Sequence, residues 1–139
     1  MGDSVWLTLA LPQWFFPTIL APFSAGPLTL IPAAGVLALL AGLGLAVLRR
    51  RREALWFLIP AAASHVLVAV AGLMRGDLGQ DASNAVLLTF LAAQLVLCGG
   101  LIWRLKRARP EAGLLFVFAM AYALFAALIA AMSFTDVWL

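Results

Sequence analysis

The chain has 139 residues, of which 65% are hydrophobic and 11% charged, with formal net charge +3 and mean hydropathy +1.09. Soluble domains run near 45–50% apolar and about 25% charged, and a fold of this size could not hide such an excess from water. The composition excludes a soluble enzyme, a nucleic-acid reader, a disordered tail and a disulfide scaffold, and it predicts an integral membrane protein. A single cysteine, Cys98, cannot form an intrachain disulfide.

The stretch from Val5 to Pro27 is apolar and aromatic, with Trp6, Trp14, Phe15, Phe16 and Phe23, but it carries Pro12, Pro17, Pro22 and Pro27. Each proline removes a backbone donor and crowds the preceding turn. Residues 5–27 are therefore expected as an interfacial or re-entrant segment of short helical or irregular pieces at the outer boundary, where Trp and Phe prefer to sit. A fifth, broken span is the alternative. No basic residue precedes the apolar run, which argues against a cleavable signal peptide.

Four charge-free stretches follow: Leu28 to Leu48, Ala54 to Met74, Ala85 to Trp103, and Ala112 to Met132. Each approaches or exceeds the roughly 20 residues a helix needs to cross about 30 Å of hydrocarbon. Only helices or closed barrels satisfy their backbone groups in lipid, and short connections force neighbouring helices antiparallel. The expected fold is all-α: an antiparallel four-helix transmembrane bundle in one membrane domain, with the N-terminal segment at its interface.

Charge sets the expected orientation. Arg49, Arg50, Arg51 and Arg52 follow the first span, and Arg104, Lys106, Arg107 and Arg109 follow the third; these are eight of the nine basic residues. Asp3, Asp77, Asp81 and Asp136 fall on the opposite side, with Arg75. The positive-inside rule places both Arg-rich loops in the cytoplasm and both chain ends outside, with Trp56 and Trp103 at the inner boundary and Trp138 at the outer. The asymmetry fits a bacterial inner membrane. The basic loops serve as topological anchors that also attract anionic lipid head groups.

Helices in lipid associate through small residues that let backbones approach. The first span offers Ala34, Ala38, Gly42 and Ala46 at four-residue intervals, and the fourth offers Ala119, Ala123, Ala127 and Ala131. The second has Ala61, Ala69 and Gly72 on one face with His65, and the third has Ala92, Ala93, Gly99 and Gly100. These ridges predict bundle packing within the chain, with one left for another membrane subunit or a second copy.

Three polar side chains fall near mid-span: His65, Gln94 and Tyr122. Polar groups at that depth face inward and find partners, so the trio is expected as a buried cluster at one level, joined by interhelical hydrogen bonds. Ser64, Thr89 and Cys98 are lesser candidates nearby. A quinone, a lipid or a macrocycle near His65 is the alternative, although no cofactor or metal is predicted. Ala61, four residues before His65, gives a short local likeness to the pigment-ligating helix of bacterial light-harvesting polypeptides; it carries no family assignment.

No acidic residue lies inside a span, which weighs against proton-coupled transport. Paired-histidine, CxxC, GxSxG and phosphate-loop motifs are absent from the sequence. Asp77 and Asp81 read as solvated loop charge. The leading expectation is a non-enzymatic accessory or scaffold subunit of a larger inner-membrane complex. A homo-oligomeric channel or carrier for a neutral solute or lipid comes second, and a lipid-modifying enzyme using His65 third.

Overall fold

The structure, a computed structural model, describes residues 2–19, 29–105 and 109–137. Lys106, Arg107, Trp138 and the prolines at 22 and 27 lie outside the described residues. Among the described residues five α-helices run in chain order: α1 (Gly2–Phe15), α2 (Leu30–Leu48), α3 (Leu58–Leu73), α4 (Gln80–Arg104) and α5 (Arg109–Thr135). Short 3-10 segments, Phe16–Ile19 and Arg52–Phe57, follow α1 and precede α3. No strand occurs among the described residues. Among the described residues four helical stretches are long and apolar enough to cross a membrane: Leu30–Leu48, Arg52–Leu73, Gln80–Arg104 and Pro110–Thr135.

Pro60 explains the uneven start of the second stretch. Its ring crowds the carbonyl four residues back in α geometry, so the chain reaches it through 3-10 turns. Within the first turn of α3 its missing N–H leaves no helix bond unmade.

α5 forms the centre of the bundle and packs against α2, α3 and α4. Its Ala112, Ala119, Ala123, Ala126 and Ala130 are fully buried, because short side chains let neighbouring backbones close in around it. Gly42 of α2 meets Leu115, and Gly35 meets Ala121 and the ring of Phe15. Three apolar clusters succeed one another along α5. One joins Ala46, Ala54, Phe57, Cys98 and Leu105 to Ala112 and Leu115, near the Arg-rich loops. The middle cluster holds Leu11, Phe15, Val36, Ala61, Val68 and Tyr122. At the far end Ala71 and Leu87 meet Ala130 and Phe134.

The described part of the N-terminal segment, expected as short helical or irregular pieces, is helical and packed against the other helices. α1 is helical through Pro12, and Ser4, Leu7, Ala10, Leu11 and Phe15 form one buried stripe. It lies mainly against α3, while the 3-10 turn after it lies against α2. Pro12, in the last turn of α1, still removes one helix bond and crowds the Thr8 carbonyl, at a cost of about 3 kcal/mol in water. Four aromatic rings, Phe16, Phe118, Tyr122 and Phe125, meet Phe15 edge-on at centroid distances of 4.9–6.1 Å. Edge-to-face pairs of this kind are worth about 0.5–1.5 kcal/mol each beyond area burial.

Of the expected packing ridges, Ala38, Gly42, Ala46, Ala119, Ala123 and Ala127 are buried within the chain, whereas Ala34 is exposed. Ala34 points away because the α2 face that meets α5 runs through Gly35, Ala38 and Gly42, at alternating three- and four-residue steps. The α4 glycines are also left out: a β-carbon at Gly99 or Gly100 would meet nothing within 4 Å.

Candidate functional site

Two of the three mid-span polar residues come together. The Tyr122 hydroxyl lies 3.1 Å from Nε2 of His65, joining α5 to α3. Nδ1 of His65 lies 3.1 Å from the Ala61 carbonyl. A carbonyl only accepts, so Nδ1 donates there and Nε2 accepts the Tyr122 proton. Both ring nitrogens are thereby engaged, and a metal or macrocycle at Nε2 would have to displace the tyrosine hydroxyl. Tyr122 is 2% exposed, enclosed by Phe15 edge-on and Phe118 stacked with centroids 5.5 Å apart.

Gln94 does not join this pair. Its Nε2 donates to the Pro60 carbonyl at 3.0 Å, tying α4 to α3. Pro60 precedes His65 by five residues, about 7.5 Å of helix rise toward the Arg-rich end. Equal residue counts from the predicted span ends placed all three at one level; the 3-10 segment and the longer α4 shift that register. Ser64 donates to the same Pro60 carbonyl at 3.1 Å. Thr89 is exposed and returns its hydroxyl to Ala85, and Cys98 is buried.

Three buried polar atoms lack a protein partner among the described residues: Gln94 Oε1, Ser83 Oγ and Glu111 Oε2. Glu111 is the residue that sequence reasoning passed over. It occupies the first turn of α5 and is 1% exposed, with its Oε1 3.4 Å from Nη1 of Arg49 at the end of α2. A carboxylate one residue after Pro110, at a helix start opposite four arginines, was the available signal.

At the opposite end Arg75 donates to Asp136 at 2.7 Å and to Asp3 at 3.4 Å, linking the α3–α4 connection, the end of α5 and the start of α1. The hydrogen bond and charge of Asp136, with Asp3 adding to them, push the Arg75 guanidinium pKa above its ordinary value. Asp77 and Asp81 are exposed. Among the described residues no three His, Cys, Asp or Glu side chains are grouped as a metal site would require.

The arrangement is a set of interhelical ties. His65–Tyr122 and Gln94–Pro60 each hold one helix pair, and Ser133 donates to the Ala71 carbonyl at 2.9 Å to hold α5 to α3 again. Compared with protein-family models, with curated proteins and with solved structures, the chain matches none.

Proposed function

We propose that this chain is a small polytopic membrane protein acting as a non-enzymatic accessory or scaffold subunit of a larger inner-membrane complex, with α4 as its docking helix. The observation that carries the reading is the two-sidedness of α4. Its buried residues, Ser83, Leu87, Gln94 and Cys98, form one narrow stripe. Diametrically opposite, Ala85, Ala92 and Gly99 recur every seventh residue, with Thr89, Val96 and Trp103 each four residues further on, and all six are exposed. A stripe facing lipid alone has no need of small residues, whereas a close helix–helix contact does. The buried row of α5 and the Gly35–Ala38–Gly42–Ala46 face of α2 are consumed inside the chain, whereas α4 keeps this row exposed from Ala85 to Gly99.

The supporting topology is four antiparallel spans. Contacts of Gly42 with Leu115 and of Gly35 with Ala121 favour opposite directions for α2 and α5. The positive-inside rule then assigns the Arg-rich loops to the cytoplasm and the Asp3–Arg75–Asp136 cluster to the outer side. In this frame α1 is a re-entrant piece that enters from the outer side beside Gly72 and ends at mid-depth beside Tyr122.

The test is native mass spectrometry of the chain extracted from its own membrane in mild detergent. The expected result is masses above 14.8 kDa that are not its multiples, and their loss in Ala92→Leu or Gly99→Leu variants that remain folded. A ladder of simple multiples overturns the proposal in favour of a self-assembling pore or carrier, and partners indifferent to both substitutions overturn α4 as the docking helix.

A further inference from the structure

The α2–α3 connection closes with a helix-ending motif that ordinarily uses glycine. Arg50 N–H bonds the Val47 carbonyl at 3.1 Å and Arg51 N–H bonds the Ala46 carbonyl at 2.7 Å. Arg50 itself has φ 53°, the left-handed region. An L-residue with a long side chain is strained there, and strain held at a defined position is a pointer to use. Its effect is to turn the chain sharply, so that Arg50, Arg51 and Arg52 stand together over the crevice between α2 and the start of the α3 segment.

That crevice measures about 650 Å³. Its rim is Arg50, Arg51 and Arg52, and its wall is apolar, formed by Leu43, Val47 and Leu55 among others. Arg49 is set apart by its pair with Glu111. Among the described residues no carboxylate lies within 4.0 Å of the other three guanidiniums. Three unneutralised guanidiniums above an apolar groove match one ligand chemistry: a phosphodiester joined to acyl chains. Guanidinium forks bind phosphate oxygens in pairs, and the groove receives hydrocarbon that a free phosphate would not supply.

We infer that the Arg50–Arg52 crevice is a binding site for one anionic glycerophospholipid, its phosphodiester held by the three arginines and one acyl chain laid along Leu43, Val47 and Leu55. Basic pockets at the cytoplasmic ends of membrane helices take anionic head groups in this way. The inference rests on the membrane reading proposed above. It goes beyond that reading in naming a stoichiometric site where topology alone requires only diffuse charge.

The full chain is reconstituted into phosphatidylcholine vesicles with and without phosphatidylglycerol, and flotation after carbonate washing reports insertion. Native mass spectrometry of the re-extracted protein then reports retained phospholipid. One phosphatidylglycerol is expected to be retained in preference to phosphatidylcholine. Its occupancy should fall by about fivefold for each arginine changed in an Arg50→Gln, Arg51→Gln, Arg52→Gln series. Val47→Trp, at a side chain 76% exposed, should fill the groove and release the lipid with charge unchanged. Arg104→Gln, at the other basic loop, should leave occupancy within twofold.

Equal losses from Arg104→Gln and Arg51→Gln, or retention by Val47→Trp, would show diffuse attraction and overturn the site. Displacement of the lipid by soluble glycerophosphate would overturn the acyl contribution. Failure to insert into phosphatidylcholine defeats the membrane reading itself, whereas insertion without a retained anionic lipid defeats only this inference.

Discussion

Gly72 and Ser4 meet backbone to backbone: a β-carbon on Gly72 would collide with Cα of Ser4 and stand 2.9 Å from its nitrogen. No rotamer can relieve that contact, because the atoms in the way belong to the main chain of α1. Gly72→Ala should therefore lift α1 from α3, at the cost of about 1–3 kcal/mol typical of overpacking. The check is detergent unfolding together with thiol labelling of Leu11→Cys, which should be protected in the parent and reactive beside Gly72→Ala. Continued protection would mean that α1 docks independently of Gly72.

The Tyr122–His65 bond should contribute modestly. Hydrogen bonds between membrane helices average about 0.6 kcal/mol, with a maximum near 1.7. A double-mutant cycle with Tyr122→Phe and His65→Ala, read by unfolding in detergent, should return a coupling within that range. Zero coupling would show that the tyrosine is held by its aromatic neighbours alone.

Gly42 and Gly44 lie two residues apart in α2 and should respond with opposite signs. A β-carbon at Gly42 would come within 2.9 Å of Leu115, whose side chain is itself fully enclosed, whereas at Gly44 nothing stands within 4 Å. Gly42→Leu should lose stability through overpacking, and Gly44→Ala should gain up to about 1 kcal/mol from helix propensity. Thermal unfolding of the two variants measures this directly. A stable, folded Gly42→Leu protein would contradict the α2–α5 packing.

Arg50→Gly should raise stability by about 1 kcal/mol, since glycine adopts a left-handed conformation without steric penalty. Unchanged or lower stability would mean that the Arg50 side chain contributes more to the fold than its backbone strain removes.

Much of the helix content was legible from the sequence. Twenty-residue apolar runs bounded by charge declare themselves, and the stretches found helical, such as Leu30–Leu48 and Pro110–Thr135, overlie those read from the sequence. α1 was legible only in part. The stripe Ser4, Leu7, Leu11, Phe15 has helical spacing, but four prolines nearby left short helical or irregular pieces as the expectation, and propensity cannot report that the Phe15 ring has three aromatic partners from elsewhere in the chain. The polar residues were found because such side chains are rare in apolar helices. Their pairing was not, because one 3-10 segment before Pro60 alters the level at which Gln94 meets α3.

By itself the sequence determined four helices apolar enough to span a membrane, the separation of basic loops from acidic ones, and the polar residues that must find partners. These follow from composition and local periodicity, which each segment carries alone. Only the tertiary structure decided that Tyr122 bonds His65 while Gln94 bonds Pro60, that α1 enters the core, and that Gly35, Ala38 and Gly42 of α2 are spent internally while Ala85, Ala92 and Gly99 of α4 remain outside. Those outcomes depend on which faces touch and at what register. A helix two or three residues longer or tighter rotates its faces by 100° per residue, and nothing local to that helix records where its neighbour stands.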